Sequence, residues 1–279
     1  MKFGRKLRRF FRRTRRIWPS PDRKQAAAER EVIHRGLDYI EYLDRLHLAL
    51  NPASYVEIGV YVGESLAKAR CAAVAIDPDI KLRGETLAAR SETHIFQMTS
   101  DHFFEGQDLR RIFPAGVDLA FIDGMHLFEY ALRDFINLER FARPQGLIAI
   151  HDCCPLNAEM ALREWNAEAR VVREWANWWT GDIWKLLPIL RQYRPELEIF
   201  VLDTPPSGLV LVNGLDPAST VLSDRYAEIV TAFSMDLDEG RLLRFRQEFP
   251  TLDSRGAFSP EALCRRLRAP ESPARPPTA

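Results

Sequence analysis

Five short apolar runs between residues 54 and 152 limit what this chain can fold into more than any other feature. They read "SYVEIGV" (54–60), "CAAVAID" (71–77), "THIFQM" (93–98), "VDLAFID" (117–123) and "GLIAIHD" (146–152). Most of them hold continuous Val, Ile, Leu, Phe and Ala rather than a polar alternation, as strands buried on both faces require. Between the last two runs, residues 127–141 place Leu127, Tyr130, Ala131, Phe135, Leu138 and Phe141 on one side of a helix. Strands alternating with helices predict an α/β fold, a parallel sheet covered on both faces. Two further runs, "LEIFVLD" (197–203) and "GLVLVNG" (208–214), are joined by the tight "TPPS". That pairing predicts a final antiparallel strand.

The flanks read differently. Ile33, Leu37, Ile40, Leu43, Leu46 and Leu50 fall at steps of three and four, which predicts an amphipathic helix over 25–49 ended by Pro52. Helix is also expected in a short piece through about Ala69 and over 156–194, where Trp165, Trp175, Trp178, Trp179 and Trp184 fall. Three more helices are expected over 219–234, 238–248 and 260–268. The predicted organisation is a basic extension over 1–24, one domain over 25–216, a helical extension over 217–268 and a disordered tail over 269–279.

The 39 basic and 39 acidic residues cancel, yet residues 1–16, "MKFGRKLRRFFRRTRR", hold nine Lys or Arg and no acid. The remaining chain keeps 30 basic against 39 acidic residues, a net of about −9. Phe3, Leu7, Phe10 and Phe11 stand among the arginines at spacings that suit one helical face. Such an arm is a solvated tail, or it docks on an anionic membrane surface or a partner protein; nucleic acid is not expected. No apolar stretch follows it, as a signal peptide needs, and no run reaches the roughly 18 apolar residues of a membrane span. Cys71, Cys153, Cys154 and Cys264 show no CxxC spacing, so reduced thiols in a cytoplasm are expected and a zinc site is not.

In open α/β sheets, ligands bind at the carboxyl ends of the strands. The first such end, "EIGVYVGES" (57–65), has Gly59 and Gly63 four apart, unlike the dinucleotide and P-loop patterns. A nicotinamide oxidoreductase is therefore not expected. Glu57 would repel a pyrophosphate and attract a cationic group. Gly59 and Gly63 let backbone approach a ligand, and Ser65 is placed to bond a ligand carboxylate. Twenty residues on, Asp77 stands where an acid takes a ribose diol. Together these features predict S-adenosylmethionine (SAM). The fourth run surfaces in "FIDGMH", with Asp123 and His126, and the fifth in His151 and Asp152. An acid and an imidazole at a strand end bind a metal, move a proton or cap the next helix.

E-x-G-x-x-x-G-x-S, the acid after the second strand, "FIDGMHLFEYALRDF" and "QGLIAIHD" together resemble the class I SAM-dependent methyltransferases. More narrowly, the chain is similar to the subgroup with FIDG-x-H and HD motifs, related to metal-dependent O-methyltransferases of catechol and macrolide-sugar type. The resemblance covers residues 52 to about 155 well, and the last two strands more weakly. It implies a Rossmann-like three-layer sandwich whose mostly parallel seven-stranded sheet has the order 3-2-1-4-5-7-6, the last strand antiparallel. It also implies that Glu57 lies near the methionine part of SAM, and that the loop through Tyr61, Gly63 and Ser65 cradles it. On the same basis Asp77 takes the ribose, Ser100 and Asp101 border the adenine, Asp123 and Asp152 hold the metal, and His126 is the base.

The chemistry agrees with those roles. Methyl transfer from a sulfonium needs an oxygen nucleophile with little proton left, and a bound Mg²⁺ with a neighbouring base supplies that. Asp123 and Asp152 end adjacent strands, so their carboxylates can converge into the oxygen-rich site Mg²⁺ prefers, and His126 titrates near neutrality. Cys153 departs from the catechol type, where an amide ligand commonly follows the acid. His151 is expected to orient Asp152 or touch substrate. Trp178, Trp179 and Trp184 offer faces for stacking, and Asp182 and Lys185 offer bonds to substrate hydroxyls. The expected activity is SAM-dependent, Mg²⁺-assisted O-methylation of a hydroxylated small molecule or glycan. The alternatives are metal-independent N- or O-methylation with His126 as sole base, and a non-catalytic scaffold that keeps the fold.

Overall fold

The structure, a computed structural model, describes residues 34–90, 92–166 and 178–268. The expected 1–24 extension with its basic arm, the start of the helix expected over 25–49, Trp175 and the expected 269–279 tail lie outside the described residues. Seven strands form one sheet: β1 (Ser54–Ile58), β2 (Ala72–Ile76), β3 (Thr93–Phe96), β4 (Val117–Ile122), β5 (Ala142–His151), β6 (Glu198–Leu202) and β7 (Leu209–Asn213). Their order is β3-β2-β1-β4-β5-β7-β6. The first five run parallel, and β7 is antiparallel to both β5 and β6. This is the Rossmann-like order that the resemblance implied. The chain changes winding direction between β1 and β4, which makes their carboxyl ends the switch point where ligands enter.

Among the described residues the helices are α1 (Tyr39–Leu50), α2 (Ser100–Gly106), α3 (Phe128–Phe141), α4 (Leu186–Tyr193), α5 (Val221–Asp224), α6 (Tyr226–Ala232), α7 (Glu239–Glu248) and α8 (Pro260–Arg268). The apolar strands feed two cores at once. Val56, Ile58, Ala120 and Ile122 pack on one face with α3 and α4. Tyr55, Ala73, Leu119 and Phe121 pack on the other with α1 and α8. Two buried faces explain why the runs do not alternate. Among the described residues no helix is long and apolar enough to cross a membrane. None of the four cysteines is in a disulfide.

Several local expectations need correction. The helix expected through Ala69 is a single 3-10 turn, Leu66–Lys68. The Arg90 guanidinium bonds the carbonyls of Leu66 and Ala69 at 2.8 and 3.2 Å, so these acceptors are tied to a side chain from outside the turn. The helix expected over 156–194 shrinks, among the described residues, to a 3-10 turn and α4. The amides of Thr180 and Gly181 both donate to the Met160 carbonyl, at 3.0 and 3.1 Å, which folds the segment back on itself. Among the described residues of the stretch expected as helix over 25–49, helix begins at Tyr39, because the Gly36 amide is bonded to the Asp203 carbonyl at 2.9 Å in an irregular stretch before it.

Candidate active site at the strand ends

Glu57 points from β1 into a fully buried position. It accepts hydrogen bonds from the Tyr55 hydroxyl at 2.7 Å and the Ser65 hydroxyl at 2.6 Å. Burial outweighs both bonds and pushes its carboxyl up to about 8. Ser65 is thereby engaged by Glu57 rather than presented to a ligand. Past β1 the backbone turns left-handed at Gly59 (φ 93), Tyr61 (φ 44) and Gly63 (φ 80). A Cβ on Gly59 would stand 2.0 Å from the Asp123 carbonyl oxygen, so the loop after β1 lies directly on the loop after β4. The Tyr61 amide donates to Asp77 Oδ2 at 2.8 Å and the Asp79 amide to Oδ1 at 2.6 Å. The first bond ties the glycine loop to the end of β2, and the second fixes the Asp77 carboxylate within its own turn. Each Asp77 oxygen keeps a further lone pair, so a ribose diol fits this acid, and the bare glycine backbone beside it suits a close-lying cofactor.

Ser100 and Asp101 open α2, capped by the Thr99 side chain. Asp101 makes a bidentate pair with Arg133 of α3, both bonds at 2.7 Å. Asp134, next to Arg133 on α3, is a buried acid that desolvation pushes up to about 7. The proposed adenine edge is therefore anchored to α3.

The centre of the site is two carboxylates between two imidazoles. Asp123 and Asp152 each stand one residue past a strand, and His126 stands just before α3. His126 Nε2 lies 3.6 Å from Asp123 Oδ1, and its Nδ1 lies 3.3 Å from Asp152 Oδ2. His151 Nδ1 is 3.3 Å from Asp123 Oδ1 and 3.5 Å from Asp152 Oδ1. One atom each of Asp123, His126 and Asp152 fall within 4.8 Å of one another, close enough to hold a metal ion. Burial alone would raise Asp123, but His151 and His126 hold it well below the usual carboxylate range. For His126 the balance is the reverse: burial disfavours its charge, yet Asp152 and Asp123 push it up to about 9.

Several supports of this centre were not visible in the sequence. Asp152 sits at φ 61, a conformation an aspartate tolerates better than most residues, and the Ser207 hydroxyl donates to its Oδ1. Tyr39 of α1 stacks on the His151 ring, centroids 3.9 Å apart. Nothing in "YIEYLD" marks it, because it meets His151 only across 112 residues of chain. Cys153 does not join the carboxylates; it is buried in the core, and its Sγ donates to the His151 carbonyl at 3.6 Å.

The structure places Trp179 on His126, rings 5.1 Å apart. Asp182, Trp184 and Lys185 lie in the protein interior. Asp182 Oδ1 accepts the Phe128 amide at 2.9 Å and so caps α3, while Oδ2 takes the Lys185 ammonium at 2.8 Å. Trp184 packs edge-on against Phe245. Asp182→Ala would strand a fully buried ammonium, and the expected cost is about 3–5 kcal/mol in urea denaturation. A variant as stable as the wild type would contradict this buried pair.

Residues 56–153 match a family model described as a methyltransferase domain. No curated protein sequence matches the chain. Among solved structures it is similar to the SAH-bound methyltransferase PaMTH1 of Podospora anserina, at 13% identity and TM-score 0.43 over 72% of this chain and 99% of that one. It is also similar to the O-methyltransferase TomG of Streptomyces achromogenes in complex with SAM, at 12% identity and TM-score 0.43 over 74% of this chain and 95% of that one. The stretch that matches the methyltransferase-domain model holds Glu57, Asp77, Asp123 and Asp152.

Proposed function

We propose that this chain transfers the methyl group of SAM to a hydroxyl of a small molecule or glycan, with a divalent cation such as Mg²⁺ held by Asp123 and Asp152. The observation that supports this is the convergence of two strand-end carboxylates and His126 within 4.8 Å, beside a glycine loop tied to Asp77. When bound, the cation supplies charge that lowers the pKa of the acceptor hydroxyl. Hard cations favour oxygen donors, which leaves the His126 imidazole as base. The acceptor oxygen attacks the methyl carbon in line as the C–S bond breaks, S-adenosylhomocysteine leaves as a neutral thioether, and the acceptor proton passes to His126. Neutralising Asp123 and Asp152 removes the charge that holds His126 protonated, so the imidazole is then able to take that proton.

Calorimetry with SAM tests the reading. Asp77→Ala is expected to weaken binding on the order of 100-fold, the loss of two hydrogen bonds to a charged acceptor. A wild-type protein that does not bind SAM at all leaves only the scaffold reading. EDTA and Asp152→Ala are each expected to stop turnover, Mg²⁺ restoring only the former. The His126–Asp152 contact of 3.3 Å also suits a metal-independent enzyme with His126 as sole base, on an N or O acceptor. Methylation indifferent to EDTA and to Asp152→Ala would favour that second reading.

Glu57 adds a pH dependence. Its folded-state carboxyl lies near 8, above an ordinary glutamate, so it is mostly neutral at pH 7. A sulfonium in the adjoining loop favours the ionised form, and SAM binding near pH 7 should therefore release protons. Affinity is expected to rise with pH, by less than tenfold per unit, and to level off above about pH 8. Glu57→Gln should flatten the profile, and a flat wild-type profile would dismiss the idea.

A further inference from the structure

The chain from Trp179 to Asp182 grips His126 on both flanks. On one side the Trp179 carbonyl accepts a hydrogen bond from His126 Nδ1 at 2.8 Å, and the two rings stack. On the other side the Asp182 amide donates to the His126 carbonyl at 3.2 Å. Between them Gly181 comes so close that a Cβ would stand 1.7 Å from the His126 carbonyl oxygen, at a φ of 57. The Trp179 indole is itself anchored, its Nε1 donating to the Leu162 carbonyl at 2.6 Å.

A carbonyl oxygen only accepts, so this bond requires the proton on Nδ1. In a neutral imidazole the lone pair then sits on Nε2, the nitrogen that faces Asp123 Oδ1 at 3.6 Å. Asp152 Oδ2 also lies near Nδ1, but a cation on Asp152 engages that carboxylate and leaves the Trp179 carbonyl as the acceptor for Nδ1–H.

We propose that Trp179–Asp182 is a clamp that sets the tautomer of His126, making Nε2 the nitrogen that receives the acceptor's proton. Trp179 and Gly181 are then positioning residues. The clamp concerns the same site and takes its meaning from the reading of His126 as the base, but its state can be read without any reaction.

The test is the ¹⁵N spectrum of histidine-labelled full-length protein with and without Mg²⁺, with the pH raised until the His126 shifts stop changing and the ring is neutral. The His126 signals are identified by their loss in His126→Gln. The expected wild-type result is a wide separation of the two nitrogen shifts, with the proton on Nδ1. In Gly181→Ala and Trp179→Ala the two shifts should collapse towards their mean as both tautomers populate. Trp179→Phe, which keeps a ring to stack, should restore the separation. A wild-type proton on Nε2, or shifts unchanged in Trp179→Ala, would overturn the clamp. Trp179→Ala carries the test alone if Gly181→Ala does not fold. Should the shifts behave as expected while SAM fails to bind, the clamp stands and the methyltransferase reading falls by itself.

Discussion

His126→Gln is expected to slow methyl transfer by about 10²–10⁴-fold while SAM affinity changes little. His126 is held between Asp123 and Asp152, and those acids push its imidazole up to about 9. Glutamine has roughly the same length and polarity, but it cannot take a proton. The loss should therefore fall on turnover, measured as S-adenosylhomocysteine formed under saturating SAM, with calorimetry as the control on binding. Because the cofactor-side contacts run through Asp77, Tyr61 and the glycine loop, a variant that loses SAM affinity along with turnover would show that His126 holds the loop rather than the proton. A variant with unchanged turnover would remove His126 from the chemistry.

The second large effect is expected at a residue with no side chain. Gly59→Ala should destabilise the fold by about 3 kcal/mol and abolish SAM binding even where folded protein remains. Gly59 has φ 93, and an added Cβ runs into the Asp123–Gly124 peptide: the Asp123 carbonyl oxygen at 2.0 Å, its carbon at 2.3 Å and the Gly124 amide nitrogen at 2.6 Å. Backbone cannot swing away as a flexible side chain would, so the two loops must part, and both cofactor loop and carboxylate centre depend on their contact. Gly84→Ala is the control, since nothing lies within 4 Å of that position and no unusual φ is involved; it should change stability by no more than about 0.5 kcal/mol. Chemical denaturation separates the two, and equal midpoints would refute the close approach at Gly59.

The carboxyl-end acids were legible because each stands where a continuous apolar run gives way to polar residues, Asp152 just after His151. Asp77, Asp123 and Asp152 each follow directly on the last residue of their strand. Periodicity also located α3 to within a residue, Phe128–Phe141 against an expected 127–141. It failed for the segment after Gly63, where Arg90 from another part of the chain takes up carbonyls of the expected helix. It failed again over 156–166, where turn geometry binds the chain to Met160. The tryptophan-rich stretch misled for a related reason. Its polar and aromatic residues suit a substrate surface equally well as an interior, and Asp182 and Lys185 were drawn into the interior by capping α3 and pairing with each other.

By itself, then, the sequence determined the α/β class and the strand ends at which acids surface, because local apolar patterning reports which faces are buried. Motif resemblance supplied the strand order and the division of roles among those acids. Only the tertiary structure decided who meets whom: Tyr39 on His151, Ser207 on Asp152, Trp179 and Gly181 on His126, and Glu57 closed off by Tyr55 and Ser65. These partners lie on different loops and helices, and a side chain's hydrogen-bond partner depends on distance in space, which no spacing along the chain encodes.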